Sequence, residues 1–538
     1  MADILQRFSI FECLEQIFSN LLDENPSRNI QNRISTKDLH SCTLVSRHWC
    51  RISTPFLYTY PFHHFRHLAY LDFYLDDEAI SYFKLIRTLL NCIPKIEIEQ
   101  IITTNNNNND NNNKEISFIH NLTTFNYVKF IRGLIFDQLL FNTRRLLHYQ
   151  EIWFPTNNDN KMEYNQYSIP IIYHLIKFLC KHCNNLTILE FPFTIQNNGL
   201  FHNMIELLIN KDNNNGRNKL INLRDLYYID NINRHDDLLN LYLALTNNVC
   251  NLNLIYHEKI DSIEKANSLS KFISLQKNLQ HIILTEDELA SLFYIFDDIN
   301  IDYYYSIVFN SLSTQSKSLK ILEFINLSFN EINETALNSL CLLNNIRELK
   351  LYECDWINDN LCSWANNLKN LEILEYVLNY SRVLPVNFLI QLIKLSFKNL
   401  IKLILYYKRE QDQGFQLINH ISLYSHSLLH LELPKIFPNE LISIFKSCNK
   451  LVYLSAILSD HNSWDEHFRI LGKFIPKKLQ KIRFKKMDHF VFSSNELKCF
   501  LEECVKSNSK LKYLEISGKC SVKQEYFNVA NQFEIHLI

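Results

Sequence analysis

The sequence predicts an α/β chain in which a short all-helical N-terminal segment precedes an irregular solenoid, with parallel strands on a concave face and helices on a convex one. Three observations lead there. An apolar-x-x-apolar-x-apolar motif recurs with first positions at Leu186, Leu223, Leu252, Leu279, Leu319, Ile346, Leu371, Leu400, Leu428, Leu451, Leu479 and Leu511. The intervals run from 23 residues (428 to 451) to 40 (279 to 319), room for one strand and one helix per unit. Ahead of the repeats, residues 8–57 carry two helical periodicities in a stretch too small to bury a self-sufficient core.

Taken in order, the first helical stretch places apolar residues at 10, 14, 17, 18, 21 and 22, one face of a 3.6-residue period. Ser9 followed by Glu12 reads as a capping box, with Phe8 against Cys13 as its hydrophobic staple. The second stretch repeats Leu39, Cys42, Val45, Trp49 and Ile52 at helical spacing. Ser35-x-x-Asp38 offers its cap, and Pro55 is expected to stop it. Ile10, Leu14, Ile17, Phe18, Val45 and Trp49 should divide between a small core and a docking face.

The ordered elements Glu12-Cys13-Leu14-x-x-Ile17-Phe18-x-x-Leu21, Asp38-Leu39-His40-Ser41-Cys42-x-Leu44-Val45-x-Arg47-x-Trp49 and Pro55-x-Leu57 resemble the F-box. That motif binds the adaptor in receptor subunits of SCF-type ubiquitin ligases. The family's Leu-Pro opening is Ser9-Ile10 here, and the loop from Asp23 to Thr36 is longer than usual. The resemblance implies docking on a Skp-family adaptor, and through it on a cullin complex, by Phe8, Ile10, Leu14, Ile17, Phe18, Leu39, Val45, Trp49, Pro55 and Leu57. It also implies that ubiquitin transfer belongs to other subunits, so that this chain is a substrate receptor for an unknown protein target. The alternative is a non-catalytic interaction scaffold with a degenerate F-box.

The organisation that follows is a helical segment over 1–60, a linker with a first weak repeat over 61–104, an Asn-rich loop over 105–114 and repeats over 115–538. Residues 61–92 read as helical. Ile93-x-x-Ile96-x-Ile98 and Ile131-x-x-Leu134-x-Phe136 read as short strands, and the Asn105–Asn113 tract has no apolar side chain to bury.

From Leu186 the units resemble leucine-rich repeats, and the one beginning at Ile346 resembles the cysteine-containing subtype found behind F-boxes. Its Cys354, eight residues after the first apolar position, should satisfy turn backbone groups, as should Asn231 and Asn379 in theirs. Between the second and third apolar positions, one residue per strand should face the hollow. From the fifth repeat that row reads Glu323, Lys350, Glu375, Ile404, Glu432, Ser455, Arg483 and Glu515, of which Glu323, Lys350, Glu375, Ile404, Glu432 and Arg483, with Lys481, are the candidate target-binding residues. The basic run Lys477–Lys486 is either a solvated face or a site for an acidic or phosphorylated peptide.

Composition excludes several classes. Formal net charge is −2, from 55 basic and 57 acidic residues, so no global field points to nucleic acid or an anionic membrane. No apolar run approaches the ~18 residues of a membrane span, and no signal peptide is visible, so a cytoplasmic and/or nuclear protein is expected. The 14 cysteines then read as free thiols. Only six glycines occur, without a phosphate-cradling cluster, and no nucleophile or metalloprotease motif is present. Cys180-Lys181-His182-Cys183 has zinc spacing but no second ligand pair, and His63-His64-x-x-His67 has no carboxylate partner. The expectation is a non-enzyme without cofactor or metal.

Overall fold

The computed structural model describes residues 12–18, 36–63, 65, 76–106, 123–135, 152, 165–192, 204, 206–208, 220–229, 242, 245, 249, 251–286, 301–330, 332–378, 384–407, 413–459, 464–487, 492–518 and 522–538. The chain is α/β, with fourteen strands among the described residues and every described pairing parallel. It divides into two compact units, residues 1–257 and 258–538.

The first unit opens with helix α1 over 12–18, α2 over Thr36–Val45 and α3 over Arg47–Leu57. The single period read from Leu39 to Ile52 is split at Ser46. That residue leaves the helical region (φ −162°, ψ 165°), and its Oγ accepts the Trp49 N–H at 3.2 Å, capping α3. Pro55 does not stop this helix, which continues to Leu57. Its missing N–H costs one bond in the last turn, and the Tyr58 N–H still reaches the Thr54 carbonyl at 3.1 Å. Ser9, Ser35 and Phe8 of the expected caps and staple lie outside the described residues.

Helices follow at Asp76–Leu90 and Lys95–Asn106. The second corrects the strand expected at Ile93–Ile98. Pro94 starts a helix there, its carbonyl accepting the Glu97 N–H at 2.9 Å, and Ile93 and Ile98 are buried while Ile96 is exposed. The same helix takes in Asn105 and Asn106, the first two residues of the expected Asn loop, whose remainder lies outside the described residues.

The weak strand at Leu134 is β1 (Gly133–Ile135), and β2 (Ile188–Pro192), β3 (Asp225–Ile229) and β4 (Leu254–Glu258) follow in chain order. Leu134, Leu189, Leu226 and Ile255 lie in register and are all fully buried. The segment after α3 adds to this ladder, because the Thr59 carbonyl accepts from Arg132 N (2.8 Å) and Gly133 N (3.2 Å). Glycine is required at 133: a Cβ would come within 2.6 Å of Tyr60 Cδ1 and 2.7 Å of His63 Cε1.

The second unit holds β5 (His281–Thr285), β6 (Ile321–Ile325), β7 (Glu348–Tyr352), β8 (Ile373–Leu378), β9 (Lys402–Tyr407), β10 (His430–Ile436), β11 (Tyr453–Leu458), β12 (Lys481–Met487), β13 (Tyr513–Gly518) and β14 (His536–Leu537). All twelve repeat motifs from Leu186 on have become strands, and β14 adds one that the motif did not mark. Ile282, Leu322, Leu349, Leu374, Leu403, Leu431, Leu454, Ile482 and Leu514 form one column in register, each with no exposed surface. Burying a leucine of this kind contributes about 1.5–3 kcal/mol, so the repeated motif is what specifies strand register.

Helices connect these strands, several with polar caps: Ser262 Oγ accepts from Lys265 N at 3.2 Å, Asn333 Oδ1 from Ala336 N at 2.8 Å, and Ser493 with Glu496 forms a capping box. The Cys354 thiol is buried and donates to the carbonyls of Phe324 (3.3 Å) and Tyr352 (3.5 Å), near the ends of two neighbouring strands. Asn231 and Asn379 lie outside the described residues.

Candidate protein-interaction surfaces

Two regions bring the candidate residues together, one in each unit. In the first, α1–α3 enclose a small core of Leu14, Phe18, Leu39 and Ile52, with Cys42, Trp49, Phe56 and Leu57 half-buried around it. Phe18 is its centre, edge-on to Trp49 at 5.5 Å and to Phe56 at 6.2 Å between ring centroids. This resolves the division that sequence left open. Leu14, Phe18 and Leu39 are core, and Trp49, Pro55 and Leu57 are half-buried. Ile17 and Val45 are 50% and 61% exposed, and Leu44 beside them in sequence is 73% exposed. Phe8 and Ile10 lie outside the described residues. Helices this small that leave three large aliphatic side chains in water have more apolar surface than they can bury themselves.

In the second unit, the predicted row is in register: Ile283, Glu323, Lys350, Glu375, Ile404, Glu432, Ser455, Arg483 and Glu515 are successive cross-strand neighbours from β5 to β13. Its charges, however, are largely spent on one another. Glu323 lies 3.6 Å from Lys350 Nζ and 3.8 Å from His281 Nε2. Glu375 is only 8% exposed, accepts from Lys402 Nζ at 2.6 Å and also from the Tyr352 hydroxyl. Glu432 has His430 Nε2 at 3.1 Å and takes Lys485 Nζ on its other oxygen. Glu515 is clamped by Lys481 Nζ at 2.7 Å and Arg483 Nε at 2.8 Å.

The electrostatics follow from that pairing. Burial opposes ionisation of Glu432, but hydrogen bonds from His430 and Lys485 and the lysine charge outweigh it and bring the carboxyl down to about 2. Glu323 is lowered in the same way, burial being overcome by His281 and Lys350. Burial and then the Glu375 charge push the Tyr352 phenol far up, so it remains a donor to that carboxylate. The row is therefore a nearly neutral strip, with half-buried Ile404 in the middle and Ser455 fully buried as an interruption.

Sequence reasoning placed Glu515 in the row but missed the partners His281, Lys402, His430 and Lys485 as members of this strip. The signal was available, because each stands on the same strand face as the predicted row, two residues to either side. Lys481 and Arg483, expected to face an acidic part of the target, both lie against Glu515.

The remaining chemistry-bearing candidates are packed into the fold. Cys180 and Cys183 are fully buried, the latter with its thiol 3.8 Å from the Val128 carbonyl, while exposed His182 stacks on Phe178 at 4.4 Å. His63 packs edge-on to Tyr60 at 5.3 Å; His64 and His67 lie outside the described residues. Among the described residues no group of three or more His, Cys, Asp or Glu is placed to hold a metal, and no helix is long and apolar enough to cross a membrane. No protein-family model and no curated protein sequence matches the chain.

Proposed function

We propose that the chain is the substrate-receptor subunit of an SCF-type ubiquitin ligase, in which α1–α3 act as an F-box docking on a Skp-family adaptor and a leucine-rich-repeat solenoid holds a protein target. The observation that carries this reading is the three-helix cluster, with Phe18 at its centre and Ile17, Leu44 and Val45 left in water. These exposed positions fall within the F-box-like motif, where an adaptor would cover them. The repeats supply the second half: strands aligned through the predicted row present one continuous face, a surface suited to a protein partner. In this role the chain contributes proximity and orientation, and other subunits perform the transfer.

Co-purification of the full chain with a Skp-family adaptor tests it, with Val45→Glu as the comparison. Val45 is 61% exposed, so the substitution should leave the fold intact and abolish the complex. A wild-type chain that ignores the adaptor under conditions where a standard F-box binds it would leave the scaffold reading standing instead.

A further inference from the structure

The edge at which the chain enters β5–β13 changes character along the second unit. Immediately before the first apolar position of each repeat stand Asn278, Ser318, Asn345, Asn370, Asn399 and Ser427, and after them Lys450, Lys478 and Lys510. Four of the small polar side chains tie one turn to the preceding one. Asn345 Nδ2 donates to the Ser316 carbonyl at 3.0 Å, Asn370 to Asn344 and Asn399 to Lys369 at the same distance, and Ser427 Oγ to Lys398 at 3.2 Å. Lysine makes no such tie. Lys450, Lys478 and Lys510, together with Lys477 and Lys512, are exposed and form no ion pair or side-chain hydrogen bond among the described residues. In the last three motif repeats this position carries unpaired positive charge where earlier repeats tie one turn to the next.

The backbone holds these lysines close together. Lys510 N donates to the Lys477 carbonyl at 3.2 Å, Gln480 N to Val452 at 2.8 Å and Lys512 N to Gln480 at 2.9 Å, so the side chains leave adjacent turns about 5 Å apart. On the same edge, Ile401, Leu429 and Val452 follow the first apolar positions of consecutive repeats, linked by 2.8 Å bonds from Leu429 N to Ile401 O and from Val452 N to Leu429 O. Ile401 and Leu429 are 39% and 41% exposed. An apolar step therefore adjoins five uncompensated cations.

We propose that this edge binds an anionic peptide segment of a partner protein that carries apolar side chains beside its acidic ones. The cations would take the acidic groups, and Ile401, Leu429 and Val452 the apolar ones. Lysines are point charges without the planar fork of arginine, so they suit a run of acidic groups better than one bidentate contact. Nucleic acid fits less well. The apolar step offers a phosphate backbone nothing, and the nearest strand-face rings are already stacked, Tyr453 on His430 at 4.3 Å and Tyr513 on His536 at 5.4 Å, rather than open to bases. The inference does not depend on adaptor binding by α1–α3.

The test uses the full chain and fluorescence anisotropy at low ionic strength, where screening is least. The probes are a labelled peptide of aspartate, glutamate and leucine, its version with phosphoserine for the acids, its version with serine for the leucines, and an oligothymidylate. The two anionic leucine peptides should bind, and the stronger identifies carboxylate or phosphate as the preferred source; the serine version should bind more weakly. Lys477→Glu, Lys478→Glu, Lys510→Glu and Lys512→Glu combined should weaken binding roughly tenfold or more, while Lys271→Glu with Lys394→Glu, on exposed helix positions, should not. Should the fourfold variant fail to fold, Lys510→Glu with Lys512→Glu, and Leu429→Ser alone, report on the two halves of the site. Absence of peptide binding to the wild type, equal loss in the control variant, or tighter binding of the oligothymidylate would overturn the proposal.

Discussion

Reversing Lys481 and Arg483 to glutamate should destabilise the C-terminal repeats, and Glu515→Gln should undo much of the loss. Both cations close on one carboxylate, at 2.7 and 2.8 Å, on a strip where Glu515 is 19% exposed and its partners about a third exposed. Partly exposed pairs of this kind contribute up to about 1 kcal/mol each. Reversal replaces attraction with repulsion of similar size, so the double variant should lose about 2–4 kcal/mol in all. In the Glu515→Gln background the same reversal has no charge to repel, and its cost should fall by half or more. Urea denaturation of the four proteins, followed by limited proteolysis to localise the loss to the last repeats, measures the coupling. An equal cost in both backgrounds would show that the clamp is merely proximity and that these charges are free for a partner. The unpaired lysines 477, 478, 510 and 512 provide the contrast, since reversing them should alter stability little.

Other consequences follow from the same structure. Glu432 is held near 2 against an ordinary 4.5, so it contributes about 3 kcal/mol at most, fully present above pH 4.5 and lost as pH falls toward 2. Carboxyl NMR should show that titration, and Glu432→Gln should remove the corresponding part of the acid sensitivity. Trp49→Ala should cost about 2 kcal/mol rather than the 3–5 of a fully buried aromatic, because Trp49 is half-buried against Phe18. A melting temperature unchanged by that substitution would remove Trp49 from the helical core. Gly133→Ala should cost about 1–3 kcal/mol as Tyr60 and His63 are forced aside; an unperturbed melt would mean those rings yield freely.

The repeats were legible because one requirement recurs: each unit must bury its second apolar residue in the same column, and a leucine every 23 to 40 residues announces it. The helix at Lys95–Asn106 was misread as a strand because three isoleucines at 93, 96 and 98 satisfy the strand template. Pro94 at the start of the helix was the countersignal. Likewise Leu39–Ile52 keeps a helical period across Ser46, and periodicity alone does not reveal a break at a residue that also caps the next helix. The row was legible as one position per strand, but its internal ion pairs were not. Reading one residue per strand hid the partners two positions away, and so hid the neutralisation of Glu432 by Lys485 and its contact with His430. The edge lysines were visible in sequence only once the Asn and Ser side chains at the equivalent positions were seen to bind neighbouring turns.

Backbone hydrogen exchange of the full chain, with and without a saturating Skp-family adaptor, tests the proposed receptor role most directly, because it reports where contact is made as well as whether it occurs. Slower exchange and mass protection confined to residues 12–57, with the strands of the second unit unchanged, is the predicted result. Protection of the β5–β14 segments alone, or none anywhere at saturating adaptor, would contradict it.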